Sequence, residues 1–465
     1  MINRVSTTIM LQTLASYFTP VRPPVSRLQK VSNWIGVFGL YMFSFFSLLS
    51  ISGANIGLGL MLIGLLLSSE AWQRLSKQLL VWSCLLVIGY IVLRNFEAIN
   101  QAWAEQKTQN NQAKDWAVLF LFFIPAWWLS HSPRRIPTAL GLTLAGFTLG
   151  ILSMLDGETL SHLLKGERSG LHFGKPIIFG FDCAVVILGL IVLAIYQSNP
   201  RLKQSKTRRL TILGLIFLGI LFFTQGLIIS QSRGVWLAIF FAIPTIFATL
   251  KFTRQSKKQP KVSLLLPLLS MGIILALILA LNWQTIMQRI SAEHQELNTV
   301  VTQGLTEAPL TSSTYRLHLW GFGLNKWLER PFTGWGPGTT YALIDAENNP
   351  ALRDVRNISF DHLHNAYLEV AFQLGLIGII LIALICGLIV SRIMEAYGKK
   401  RISIYFLAFL FSNFVLIAVY SLTDFRHLHW NWRFYWLLIA GITYAFTLMT
   451  FKLQPEQRKH KEYEV

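Results

Sequence analysis

Apolar runs long enough to cross a bilayer recur from one end of the chain to the other, and they decide what it can fold into. A helix needs about 20 predominantly apolar residues to span the hydrocarbon core. Residues 210–229, 262–281, 366–390, 404–422 and 434–448 meet that length or nearly so. Shorter or more mixed runs cover 34–51, 56–67, 79–93, 116–129, 137–155, 176–196 and 235–250. With 465 residues, 53% hydrophobic and 14% charged, the chain is too apolar and too long for one soluble core. The reading is an all-α, polytopic integral membrane protein of about 12 transmembrane helices.

The formal net charge of +19 raises the question of a nucleic-acid partner. The distribution of the charge answers it. Basic residues crowd into alternate connectors: Arg74 and Lys77, then Arg134 and Arg135, then Arg201 to Arg209, then Lys251 to Lys261. Arg392, Lys399, Lys400 and Arg401 continue the series, and the tail carries Arg458, Lys459 and Lys461. The intervening connectors hold acids instead, among them Glu97, Glu105, Asp156, Glu158 and Glu167. This is the positive-inside asymmetry of a membrane protein, so no nucleic acid is expected. It places both ends in the cytoplasm and divides the chain into a cytoplasmic segment 1–33, helices 1–9 over 34–281, a long periplasmic loop 282–364, helices 10–12 over 365–450 and a cytoplasmic tail 451–465. The first residues lack the tripartite pattern of a cleavable signal. Cys84, Cys183 and Cys386 all lie in apolar runs and read as packing residues.

The long external connection is the most informative stretch, because a connector of about 80 residues usually has a function. Thr311, Ser312 and Ser313 are helix-capping residue types, and Leu317, Trp320, Leu324, Trp327 and Leu328 follow at helical spacing until Arg330-Pro331 ends the run. Trp320 and Trp327 fit a helix at the membrane–water interface. Thr333-Gly334-Trp335-Gly336-Pro337-Gly338 must then turn. Three external positions are candidates for chemistry. Arg233, in Gln231-Ser232-Arg233-Gly234, opposes the charge bias and sits at a helix start, where an anion is favoured; a snorkelling side chain is the plainer alternative. Arg316 opens the interfacial helix, either as an anion contact or as a solvated cation. His364 follows His362 in Asp361-His362-Leu363-His364-Asn365, at the start of the helix to Val390. A neutral imidazole there suits a general base, although a cap or surface residue has the same signature.

Taken in order, Gln231-Ser232-Arg233-Gly234-Val235-Trp236, Tyr315-Arg316 to Trp320-Gly321, Gly334-Trp335-Gly336, His364-Asn365-x-Tyr367-Leu368 and Leu374-Gly375-x-x-Gly378 resemble the O-antigen ligase family of bacterial membrane glycosyltransferases. The resemblance runs from about Arg168 to Val390; the N-terminal third contributes only hydropathy. It implies His364 as the catalytic histidine, with Arg233 and Arg316 binding the substrate's diphosphate. The implied reaction joins an undecaprenyl-diphosphate-linked glycan to a sugar hydroxyl of lipid A–core, at the periplasmic side of the inner membrane. An O-antigen polymerase shares this layout. A protein O-oligosaccharyltransferase shares the motif but often carries a larger C-terminal region, and a flippase would place charge nearer the bilayer midplane.

Arg168, Lys175, Gln231 and His362 are possible supporting residues. His427 and His429, with Asp424, Trp430 and Trp432 in the last external connector, read first as an interface belt and second as support. No cofactor is expected. No metal is expected either: the first external loop, 52–55, has no carboxylate pair, while Asp156 with Glu158 and Asp345 with Glu347 fall in mixed polar loops. The topology has a direct check. Single cysteines at Gln109, Asn298 and Asn348 should react with an impermeant thiol reagent in intact spheroplasts, and ones at Gln204 and Gln259 should not. Labelling of Gln204 from outside breaks the expected arrangement.

Overall fold

The computed structural model describes residues 26–101, 105–164, 167–171, 173, 175–199, 202, 204–252, 280, 283–306, 308–354 and 356–449. Among these, helices dominate and the only β-type pairing is an isolated bridge between Arg353 and Ser359. In chain order they are α1 (Arg27–Phe46), α2 (Ile51–Leu66), α3 (Ser69–Leu75), α4 (Leu79–Ile99), α5 (Gln106–Val118) and α6 (Phe123–Ser130). Next come α7 (Arg135–Ser153), α8 (Gly157–Leu164), α9 (Pro176–Gln197), α10 (Lys206–Ile229) and α11 (Arg233–Phe252). The series ends with α12 (Trp283–Gln303), α13 (Ser312–Glu329), α14 (Thr340–Glu347), α15 (Ala366–Gly398), α16 (Ile404–Tyr420) and α17 (Trp430–Leu448).

Six described helices are long and apolar enough to cross a membrane: α4, α7, α9, α10, α11 and α15. A seventh arises if α2 and α3, bent by 89°, form one broken span. Two expectations need correcting. The run 116–129 is not one helix: α5 is a polar helix that ends at Val118, and α6 starts afresh at Phe123. The turn between them is tightened by Leu119, Phe120 and Leu121 N–H groups bonding three residues back. Residues 52–55 are not a loop but the first turn of α2, capped by Ser50, whose hydroxyl accepts from Gly53 N at 3.3 Å. The expected run 262–281 falls almost wholly outside the described residues. The connection expected to carry one helix carries three, since α12 and α14 flank α13.

Between apolar helices in lipid, burial of apolar surface drives association weakly, so close backbone approach has to do more. Glycines provide it where α1 crosses α2. A Cβ on Gly39 would lie 2.7 Å from the Gly57 carbonyl, and one on Gly36 would overlap the Trp128 ring. Trp128 Nε1 donates to the Met61 carbonyl at 3.0 Å, and the fully buried Arg135 donates to the Trp128 carbonyl at 2.7 Å. The same device joins the helices behind the site, where Gly180 meets Ser230 and Gly234 meets Thr423.

The other fixed point is a break inside α15. Gly375 has φ +63° and ψ −169°, a conformation essentially reserved for glycine. The turn at 331–336 docks into the break. Leu376 N bonds the Pro331 carbonyl at 2.9 Å and Ile377 N the Phe332 carbonyl at 3.1 Å; Trp335 N and Gly336 N bond Phe372 O and Gln373 O, both at 2.8 Å. From α4, Tyr90 OH donates to Leu374 O at 2.7 Å, and the buried Arg94 donates to Gly334 O at 2.8 Å. The expected turn is therefore present, with positive φ at Gly334, Gly336 and Gly338, and it splints the broken helix. Gly375→Ala should lower the thermal unfolding midpoint in detergent strongly. The backbone conformation alone costs about 1–3 kcal/mol for a non-glycine residue, and the new Cβ would stand 2.3 Å from the Phe332 carbonyl oxygen. Gly387→Ala, with open space around it in the same helix, should be near neutral.

Candidate functional site

Three helix ends and one connector meet where the sequence candidates converge. α13 begins with a capping box: the Thr311 side chain accepts from Thr314 N, and the Thr314 side chain accepts from Thr311 N. That fixes the first turn, which carries Ser312 and Arg316. Arg233, first residue of α11, donates to Ser312 Oγ at 3.4 Å, so the two predicted arginines share one corner. α15 is capped by Asn365, whose side chain accepts from Leu368 N at 3.1 Å. His364 therefore stands just outside the helix, one residue before the cap, with φ +53°. That left-handed backbone is uncommon for a residue other than glycine and aims the imidazole away from the helix axis toward the connector 421–429.

Asp424, in that connector, is the organising residue. It is 1% exposed, and its Oδ1 lies 3.1 Å from His364 Nδ1 and 3.6 Å from His362 Nε2. Its Oδ2 faces Arg426 Nε at 3.4 Å and Tyr420 OH at 3.5 Å. Burial alone would raise this carboxyl, but the bond from His364 and the charge of Arg426 hold it well below the usual range. Burial lowers His364 from its ordinary 6.5; Asp424 opposes that, while Arg316 and Arg426 add to it. His362 is pushed down to about 3 by burial, helped by His364 and Arg426. The His364 side chain keeps 14% of its surface open and that of His362 6%, so His364 is the reachable one. Donation from its Nδ1–H to Asp424 leaves Nε2 as the free acceptor.

The supporting candidates divide. Lys175 stands at the N-cap position of α9 and belongs to the cluster: burial and Arg426 lower its pKa, while Asp361 and Asp424 raise it. Arg168 is tied to the end of α10, donating from Nε to the Ser230 carbonyl at 3.0 Å, and Gln231 turns the chain there with φ +47°. His427 bonds Ser421 Oγ at 3.1 Å and packs 4.0 Å from Trp432, which makes it a support of the connector. Sequence reasoning placed Asp424 in a belt and passed over Arg426. The available signal was an acid–base pair, Asp424-Phe425-Arg426, in a connector between two apolar runs. The acid pairs have local partners: Asp156 caps Thr159 N at 2.7 Å, and Asp345 accepts from Ser359 at 2.7 Å. Among the described residues, His362, His364 and Asp424 are the group whose ligand atoms, all within 4.8 Å of one another, have the makings of a metal site.

A second buried carboxylate holds the loop. Glu369, fully enclosed on the first turn of α15, accepts from Leu363 N at 2.7 Å, Thr340 Oγ1 at 2.5 Å and Gln373 Nε2 at 2.6 Å. Trp320 Nε1 grips the same loop from α13, bonding the Leu363 carbonyl at 3.1 Å. Residue 363 is thus pinned at both its N–H and its C=O, with the two histidines on either side. Glu369→Gln should destabilise the protein nearly as much as Glu369→Ala. An amide has one accepting oxygen for three donors, and each stranded donor costs about 1–3 kcal/mol. Denaturation followed in detergent checks this; a neutral Glu369→Gln would show that the donors have other acceptors.

No curated protein matches the chain. A family model does, over residues 218–383, the stretch that contains Arg233, Arg316, His362, His364 and Glu369; Lys175, Asp424 and Arg426 lie outside it. That model is described as O-Antigen ligase, and residues 218–383 carry the domain it describes.

Proposed function

We propose that the protein is an O-antigen ligase of the bacterial inner membrane, transferring a glycan from undecaprenyl diphosphate to a sugar hydroxyl of lipid A–core at the periplasmic face. The observation that supports this most is the convergence of Arg233 and Arg316 on one corner with the Asp424-held His364 beside it. In the reaction, the acceptor oxygen bonds the donor's anomeric carbon and gives its proton to His364 Nε2. The bond from that carbon to the diphosphate oxygen breaks, and undecaprenyl diphosphate leaves with the electron pair. The two guanidiniums meet the charge growing on the leaving diphosphate through forked hydrogen bonds. The donor linkage itself stores the energy, so no cofactor or nucleotide enters, and the arginines fill the role a cation has elsewhere.

Arg233→Ala, Arg316→Ala and His364→Ala should each lower transfer about a hundredfold, the equivalent of about 3 kcal/mol. Arg→Lys should rescue poorly, because a point charge replaces a fork. His362→Ala should be milder, since its ring is enclosed. The pH profile follows from the sign of the His364 shift. A pKa below 6.5 keeps the imidazole neutral, and so able to accept a proton, at neutral pH. The acidic limb of kcat/KM should therefore lie below 6.5. In Asp424→Asn the carboxylate that raises this pKa is gone, so the limb should move lower still while the rate drops. A limb above 6.5, or one that Asp424→Asn moves upward, is incompatible with this base.

The product test separates ligase from polymerase, which share residues and layout. A strain lacking the protein should accumulate long glycans on undecaprenyl diphosphate and make lipopolysaccharide of bare core. Cores carrying a single repeat would reassign the protein as a polymerase.

A further inference from the structure

We propose that His362, His364 and Asp424 form a binding site for a divalent transition metal of the zinc class, and that its occupancy switches transfer off. The inhibitory half of this rests on the reading of His364 as the base; the binding half does not.

The geometry is that of a ligand set. His362 Nε2 and His364 Nδ1 lie 3.6 and 3.1 Å from Asp424 Oδ1. Neighbouring ligands of a tetrahedral zinc with bonds of about 2.0–2.1 Å are separated by about 3.3 Å; the two distances to Oδ1 bracket that value, and all three ligand atoms lie within 4.8 Å of one another, so the two imidazoles have to close toward each other to share one ion. His362 has no other evident task. It is 5% exposed, and neither ring nitrogen has a hydrogen-bond partner, which is costly for a buried polar group. Its orientation is that of a ligand with support behind it: Nε2 faces Asp424, while Nδ1 faces the Asp361 carboxylate at 3.3 Å, the outer-shell pairing that metal-bound histidines commonly have. Arg426 approaches Asp424 through Oδ2, while Oδ1 accepts from Phe425 N at 2.8 Å and turns its other side to the two histidines. Two imidazoles and one carboxylate suit zinc, cobalt or nickel, whereas magnesium and calcium prefer all-oxygen sets.

Inhibition follows from which nitrogen binds. Turnover needs the His364 proton on Nδ1, toward Asp424, and a free lone pair on Nε2. A metal on Nδ1 takes that lone pair and obliges the neutral ring to carry its proton on Nε2. The ring then has no site left to accept a proton from the acceptor hydroxyl.

The test uses the full chain, without a histidine tag, in detergent and stripped with chelator. Titration with ZnCl2 should show one site per chain, not displaced by excess Mg²⁺. His362→Gln and Asp424→Asn should weaken it at least tenfold, and Asp361→Asn about 10–100-fold, the usual effect of losing outer-shell support. Asp361 is largely exposed, so that variant also serves should His362→Gln not fold. The stripped protein should transfer glycan at full rate, Zn²⁺ should inhibit it, and His362→Gln should resist inhibition relative to its own zinc-free rate. Absent or variant-independent Zn²⁺ binding overturns the site, and binding with unchanged transfer overturns the switch. Zn²⁺ stimulation of the stripped protein would overturn the switch and, separately, the reading of His364 as a free base. Binding is measured without turnover, so it stands or falls independently of the proposed reaction.

Discussion

Every backbone N–H and C=O at membrane depth needs a partner inside the protein, because lipid offers none and each orphan costs several kcal/mol. The break at Gly375 is where this constraint acts hardest. It frees amides and carbonyls around residues 372–377, and the turn at 331–336 supplies their partners in four backbone hydrogen bonds. Two glycine motifs that stand forty residues apart are thus halves of one joint. The joint fixes the short N-terminal part of α15 independently of the long helix below it. That short part carries Asn365, Glu369 and Gln373, which in turn hold the histidine loop.

The site above the joint depends on buried carboxylates with opposite surroundings. Glu369 is encircled by neutral donors and serves as a peg for the loop. Asp424 is encircled by imidazoles and Arg426, and it keeps its charge. The negative charge fixes the His364 ring and offsets part of the surrounding positive field. Without it, Arg426, Lys175 and the arginine corner would be left with Asp361 as the carboxylate among them.

Much of this was legible in the sequence. Apolar run length marked most of the described helices, and the capping residues at Thr311 and the stop at Pro331 bounded α13 to within a residue or two. Arg233 stood out because it opposes the charge bias, and Arg316 and His364 stood out through the motif order that resembles the O-antigen ligase family. Other features were misread for identifiable reasons. Hydropathy averaged the polar α5 with the apolar α6 into one span, and a serine-capped first turn looked like a loop. Asp424 was seen only as part of an aromatic cluster, because nothing in Thr423-Asp424-Phe425 marks a partner sixty residues earlier.

The sequence by itself determined the class of the protein, the helical segments and the chemical identity of the main candidates, since these depend on local composition and periodicity. Only the tertiary structure decided that His364 rather than His362 is open to a substrate, that Asp424 is the carboxylate behind it and that Arg233 reaches the first turn of α13. Those facts depend on which helix ends are pressed together. The pressing is done by contacts such as Gly234 on Thr423 and Gly375 on Phe332, where a missing side chain permits an approach that no periodicity records.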